Sequence, residues 1–424
     1  MSRLDALAGF AAVALATACS GGGSSNAPPG CDPTKPDTIC TIAGNGVNGY
    51  DGDDPIRALD AKMSLPQDTL MGPDGTLYIL DWNNHRVRSL GSDGILRHVV
   101  GRGELGGSLD DPANSDLNHP TALLFSEDDP NQLLIAAWHN SKIRTIDLTT
   151  DDITDDCGDG RRAYFGDETP AITASLDLPT SIAWDPTGNL VIMDQANQVL
   201  RSVDAAGIIH RMAGICVIDQ DATCDDGTAP VQCPSGSGKF TCGDPTTECS
   251  NPCTPKYAAG TGELDFRMAQ PFGQSADPGG RILYDPDGNL LFADTTNHLI
   301  RRITPDGTVE IVAGVEPVNG VPQSGIAPEG TPATQALLYR PTDLALADDG
   351  TLYFSDVYNH CIRKIATDGN VYTVAGQCGT KGFGGDGGPP EKALLTLPYG
   401  IELSGHSLYV ADTGNNRIRV VTLE

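Results

Sequence analysis

The sequence predicts an all-β fold, a six-bladed β-propeller closed by its own N-terminal strand. Three observations predict it. First, the stretch Tyr409–Arg419 recurs six times in degenerate form. Its anchor positions are Asp81, Ala137, Asp194, Asp294, Asp356 and Asp412. Three residues on stands Asn84, Asn140, Asn197, Asn297, Asn359 or Asn415, and seven on stands Arg88, Arg144, Arg201, Arg301, Arg363 or Arg419. A fixed internal period of this kind decides the architecture before any local reading. Second, 50 Gly and 30 Pro among 424 residues suit many short strands and turns. Third, the last repeat lacks its final strand, and the N-terminus holds a spare one.

Blade one shows how each unit is built. Pro66 opens the inner strand a. Gly72-Pro73-Asp74-Gly75 is a tight turn with Pro and Gly where such turns need them. Thr76–Leu80 is strand b, rich in β-branched and aromatic residues. Asp81–His85 is the b–c turn, Arg86–Leu90 strand c, and Ile95–Val100 strand d. Four antiparallel strands per unit make a propeller blade.

Later blades begin at Pro120, Pro179, about Arg281, Pro341 and Pro398. The anchors lie 56, 57, 100, 62 and 56 residues apart. The long interval is one repeat plus an insertion, about 215–262. Blade six ends after its strand c, at 419–423. The stretch Thr38-Ile39-Cys40-Thr41-Ile42-Ala43-Gly44 matches the strand-d ends Tyr372-Thr373-Val374-Ala375-Gly376 and Glu310-Ile311-Val312-Ala313-Gly314. It is expected to complete the last blade and remove the open edge. The expected organisation is a signal peptide at 1–18, a lipidated Cys and tether at 19–37, and the propeller at 38–424 with its insertion.

The run Asp-x-x-Asn-His-x-Ile-Arg, followed by Asp-Gly-x-Val-x-x-Val-Ala-Gly, resembles the NHL repeat. The Gly-Phe-Gly-Gly-Asp-Gly-Gly-Pro-Pro-Glu-Lys-Ala stretch at 382–393 resembles the long inter-blade loop of bacterial NHL proteins and teneurin-type propellers. The resemblance covers 38–424 apart from the insertion.

Arg3 and the short apolar run Leu7–Ala18 read as a secretory signal, too short to remain as a membrane span. Ala16-Thr17-Ala18-Cys19 resembles a bacterial lipobox, with Cys19 as the lipidated first residue of the mature chain. Ser20–Gly30 reads as a flexible tether. The expected location is the bacterial cell envelope, outside the cytoplasm, with membrane contact only through the lipid. Ser20 after the Cys resembles the outer-membrane sorting pattern, where the host has such a membrane.

Twelve cysteines fit an oxidising compartment. With Cys19 lipidated, at least one of the other eleven is left unpaired. Cys216, Cys224, Cys233, Cys242, Cys249 and Cys253 lie in an insertion with no core of its own, which disulfides would have to staple. Cys361 begins strand c and Cys378 follows strand d of one blade, so they are expected to bond. Cys31 and Cys40 form a second candidate pair.

A formal charge of −29 repels phosphate backbones and excludes nucleic acid as the expected partner. His85, His298 and His360 share one repeat position on separate turns of a ring. They cannot converge on one zinc ion. The repeated Asn and Arg are expected to build blades. The residues after each strand-a Pro are expected to ring the mouth of the central channel: Gln67, Asp68, Thr121, Thr180, Arg281, Thr342, Asp343 and Tyr399. That set suits a small anion on Arg281, a cation between Asp68 and Asp343, or water alone. Peptidylglycine amidating lyase has a similar propeller with zinc-binding His at the start of inner strands; no mouth position here is His. Gluconolactonase-like propellers use a carboxylate and Asn cluster, of which only Asp68 and Asp343 have counterparts. The acidic loops at 50–54, 158–160 and 385–387 admit Ca2+ without matching an EF-hand; no other cofactor is expected. No Ser-His-Asp set, phosphate loop or glycosidase pair is placed by motif. Binding of a protein or a cell-envelope polymer through the loop face is therefore the expectation. A metal-dependent lyase or lactonase, or a structural spacer, are the alternatives.

Overall fold

The structure is a computed structural model and describes residues 31–107, 115–214, 231–232, 240–241, 262, 266–271 and 277–424. Six antiparallel sheets form the six blades of a β-propeller; a separate two-stranded pair joins Val231–Gln232 to Phe240–Thr241. Among the described residues the only helical turns are short 3-10 turns.

Closure is carried by Thr38–Ala43, which pairs with Arg417–Thr422. Thr38 faces Thr422 and Thr41 faces Arg419, so the N-terminal strand is the fourth strand of blade six. Asp37 N–H donates to Thr422 O, and the Ile39 backbone exchanges hydrogen bonds with Gly387 and Gly388. The blade needs this strand because Arg417–Thr422 would otherwise offer an unpaired edge.

In blade one the strands are Asp68–Met71, Leu77–Asp81, Arg86–Leu90 and Ile95–Val100. Strand b starts one residue later than the sequence predicts. Asp74 accepts hydrogen bonds from both the backbone and hydroxyl of Thr76, which holds that residue in the turn. A further feature lies outside the sequence reading. The loop entering blades one, three and five first runs along the blade's outer edge. There Ile56–Arg57, Thr169–Pro170 and Thr331–Pro332 each add a two-residue fifth strand.

The core is a set of apolar seams between neighbouring blades. Tyr409, Ala411 and Ile418 of blade six meet Leu77 and Ile79 of blade one in one seam. Leu344 and Phe354 of blade five meet Ile300 of blade four in another. The aliphatic residue just before each repeated Arg is fully buried in all six blades. Each such side chain contributes roughly 1.5–3 kcal/mol of burial free energy.

Every c–d pair carries a register shift between that aliphatic and the Arg, as at Val87/Arg88 and Ile362/Arg363. The strand-d Ala-Gly ending follows from it. Gly376 has φ +86°, and a Cβ there would lie 2.7 Å from His360 O. The backbone of strand d comes too close to the b–c turn for any side chain.

Two disulfides staple the described chain: Cys361–Cys378, with Cα atoms 5.1 Å apart, and Cys31–Cys40, at 5.7 Å. Cys157 is a buried free thiol. Cys19 and the six cysteines of the insertion lie outside the described residues.

Candidate functional site

The propeller has two ends. The b–c turns and d–a loops form the mouth face; the a–b and c–d turns form the far face. On the mouth face five of the six b–c turns are 3-10 turns, as at Trp82–Asn84, and all six end in a left-handed residue, such as His85 at φ 55° and Gln198 at φ 57°.

The repeated polar residues are consumed in building these turns. Asp81, Asp194, Asp294, Asp356 and Asp412 each accept a backbone N–H from the incoming loop, at 2.7–2.8 Å. Asn84, Asn197, Asn297, Asn359 and Asn415 each donate to the Asp of the same turn. In four of these blades the Asn also donates to a loop carbonyl, at Gly49, Ala163, Gly325 or Gly382. Blade two has Ala137 at the anchor. There Asn140 takes over, accepting from Asn118 N–H and donating to Gly106 O. Arg88, Arg144, Arg201, Arg301, Arg363 and Arg419 are buried and donate to carbonyls of Lys62, Asp116, Ser175, Arg267, Ala327 and Leu394. Burial raises the anchor carboxylates, to about 7 for Asp356 and about 6 for Asp412.

His85, His298 and His360 lie on the turns of blades one, four and five. Each ring Nδ1 accepts the backbone N–H of the residue preceding the next blade's strand-a Pro: His119, Arg340 and Leu397, at 3.2–3.3 Å. They are pins between neighbouring blades. Among the described residues no three His, Cys, Asp or Glu side chains are grouped to hold a metal ion. Four of the five carboxylates of the acidic loops are engaged as well, Asp159 with Arg161 among them. Asp51 pairs with Lys62, Asp53 with Arg86, and Asp386 with Arg419.

The structure brings the eight mouth residues together. Gln67, Thr121, Thr180, Arg281, Thr342, Asp343 and Tyr399 line one small cavity with Pro278, Gly279 and Gly400. Asp68 lies against it, paired with Arg281. Arg281 comes from blade four but reaches across the channel. Its Nη2 is 2.6 Å from Asp68 Oδ1, its Nε 3.0 Å from Asp343 Oδ1, and its Nη1 donates to Thr121 O at 3.1 Å. The second Asp343 oxygen accepts Ile401 N–H at 2.8 Å. This placement changes the sequence reading. The guanidinium occupies the position of a cation between Asp68 and Asp343, and its donors are committed to protein acceptors rather than to an anion. Arg281 is a plug that ties blades one, two, four and five together.

Glu402 is a channel residue the sequence reading missed. It accepts Met71 N–H at 3.2 Å, and burial pushes its carboxyl up to about 8, with Asp68 and Asp343 adding repulsion. Its signal was an acidic residue inside an otherwise apolar strand a, Tyr399-Gly400-Ile401-Glu402. Burial likewise pushes Asp68 up to about 6, despite the neighbouring Arg281.

Two aromatic banks on the mouth face were also missed. On blades one and two, Trp82 packs 4.4 Å from His119, His119 4.2 Å from His85 and 4.8 Å from His139, and His139 stacks on Trp138 at 4.3 Å. On blade five, Tyr339 and Tyr358 lie 5.3 Å apart, and Arg340 stands over Tyr358. Asp277 accepts hydrogen bonds from both Tyr358 Oη and Arg340 Nη1 at 2.7 Å. The signal was available at positions where the repeats disagree: one and two after the anchor, and just before the strand-a Pro.

Fold and mouth together define a six-bladed propeller with NHL-like repeats. No family model matches the chain. Among curated proteins it is similar to Teneurin-1 of Gallus gallus, 26% identical over 428 residues. That alignment covers 92% of this chain and 14% of the relative, so the chain spans about one seventh of the relative's length. Among solved structures it is similar to an auxiliary nutrient binding protein from Bacteroides thetaiotaomicron, with TM-score 0.58 and 16% identity, covering 90% of this chain and 75% of that one. A second auxiliary nutrient binding protein, from Bacteroides ovatus, gives TM-score 0.56 and 14% identity, covering 90% and 76%. At these identities the likeness to the solved structures is one of fold.

Proposed function

We propose that this chain is an extracytoplasmic, lipid-anchored binding or scaffold protein that recognises its partner with the mouth face. The observation that carries the reading is the division of labour between repeated and unrepeated residues. The repeated Asp, Asn and Arg are used up inside the blades. The residues that differ between blades gather around a plugged mouth. Function concentrates on such loop-borne positions held by a rigid scaffold. The nutrient-binding names of two propellers of the same fold are consistent with a binding role.

Strand direction gives the reading an orientation. Thr38 pairs with Thr422 and Ala43 with Ile418, so the chain enters blade six from the far face. A lipid on Cys19 would tether that far face and leave the mouth face pointing outward. The two disulfides fit an oxidising compartment. A photo-cross-linker tests the proposal when placed in cells at exposed Asn83 of the mouth face or exposed Asp349 of the far face. A discrete adduct from Asn83 and none from Asp349 is expected. Equal labelling from both sites, or no adduct to protein or glycan from Asn83, refutes it.

A further inference from the structure

The two aromatic banks and the plugged channel carry a narrower conclusion about what the mouth face takes, which rests on the binding reading above. We propose that the mouth face binds a neutral polysaccharide lying across the two banks, with Trp82 and Tyr339 as its stacking platforms.

Four features lead there. The first is planar apolar area beside polar edges. Trp82 is half-buried with His119 packed against it, and Tyr339 is 38% exposed. A pyranose ring presents a flat C–H face flanked by hydroxyls. Aromatic rings suit the C–H face, because their negative π surface meets weakly positive hydrogens. The second is planar hydrogen-bonding groups next to those rings. Arg340 and Asp277 are paired with each other and half-buried, which fixes a guanidinium and a carboxylate edge at one bank. Exposed Asn83 offers an amide at the other. Such groups bond pairs of vicinal hydroxyls.

The third feature is charge. Burial lowers His119 to about 3 and His139 to about 4, so the Trp–His bank is uncharged at neutral pH. The chain's formal charge of −29 disfavours a polyanion. The fourth is shape. Arg281 fills the mouth, so no deep pocket can engulf a small sugar. A ligand must gain its contacts by spanning the surface, which favours a chain over a monomer.

Affinity electrophoresis of the mature protein through gels containing laminarin, xyloglucan, galactomannan or amylopectin tests this, with polygalacturonate and heparin as anionic controls. Retardation by at least one neutral polymer and by neither anionic one is expected. Trp82→Ala should weaken that retardation about tenfold, a stacking loss of the usual size. Tyr339→Ala, an exposed position where folding is not at stake, should weaken it several-fold in the same direction. Asp349→Ala on the far face should leave it unchanged. Retardation by none of the neutral polymers overturns the proposal, as does retardation that survives both aromatic substitutions. The two readings fail separately. A protein adduct from Asn83 without glycan retardation leaves mouth-face binding standing and removes the polysaccharide; no adduct and no retardation removes both.

Discussion

Arg281 Nε lies 3.0 Å from Asp343 Oδ1, a contact between blades four and five across the channel mouth. The same guanidinium reaches Asp68 of blade one. Both carboxylates are buried, so their charges are tolerable only with the cation between them. Arg281→Met removes the cation and leaves two buried carboxylates facing one another. A loss of about 3–5 kcal/mol is expected, the usual cost of breaking a buried pair from one side. Chemical denaturation would measure it, and the loss should be larger at pH 8 than at pH 5. A midpoint unchanged from the wild type would refute the plug.

Glu402 makes stability depend on pH in an unusual direction. Its folded-state value of about 8 lies above the ordinary 4.5, so the native state holds the proton more tightly than the unfolded one. For such a group stability falls as pH rises from about 4.5 to about 8. The buried anchors Asp356 and Asp412 act in the same sense over a narrower range. Glu402→Gln keeps the shape and removes the titration. Its thermal midpoint should exceed the wild type at pH 8.5 and converge with it near pH 4.5. Parallel curves for the two proteins across that range would contradict the assignment.

The Ala-Gly ending of strand d is a steric requirement, and two glycines separate it from ordinary turn strain. Gly376 and Gly350 have nearly the same φ, +86° and +87°. A Cβ at Gly376 meets His360 O at 2.7 Å, whereas one at Gly350 meets nothing within 4 Å. Gly350→Ala should cost about 1 kcal/mol, for the left-handed backbone alone. Gly376→Ala should cost distinctly more, because the clash is with backbone. Urea melts of the two variants make the comparison. Equal losses would mean that strand d can shift away freely.

Peptide mapping without reductant should recover Cys361 joined to Cys378 and Cys31 joined to Cys40. Replacing both Cys361 and Cys378 by Ser opens a 17-residue separation and should cost about 3 kcal/mol. Cys157 should resist maleimide in the native protein and react once it is unfolded. It is buried, and that burial pushes its thiol up to about 12. Native labelling at Cys157 would place it in a different environment.

The blades were legible in the sequence because each is specified locally. Strands Arg86–Leu90 and Ile95–Val100 fall where the alternation and turns put them. Ring closure was legible because Thr38–Ala43 carries the strand-d pattern out of place. The mouth residues could be gathered from the strand-a prolines, since a repeat maps equivalent positions to one ring. Their chemistry could not. Whether Arg281 is free depends on how far its side chain reaches toward Asp68 and Asp343, which membership of one ring does not tell. The aromatic banks were hidden for the same reason. Trp82 and Trp138 share the position one after the anchor, but His119 lies just before a strand-a Pro, and only the ring's curvature brings the three together. Asn140 taking over where Ala137 cannot accept a hydrogen bond was equally out of reach, since it requires the position of Asn118 N–H.

The strand that closes the ring is synthesised long before its partner, Arg417–Thr422, and five blades of chain separate the two. Until Arg417–Thr422 is present alongside it, Thr38–Ala43 has no correct edge to pair with. Five blades can assemble in turn, yet the circle stays open throughout. A chain interrupted anywhere between the two strands keeps an orphan strand at one end and an exposed edge at the other. Emergence of the last strand and completion of the fold are thus one event, which gives quality-control proteases a simple mark by which to tell a finished ring from a fragment.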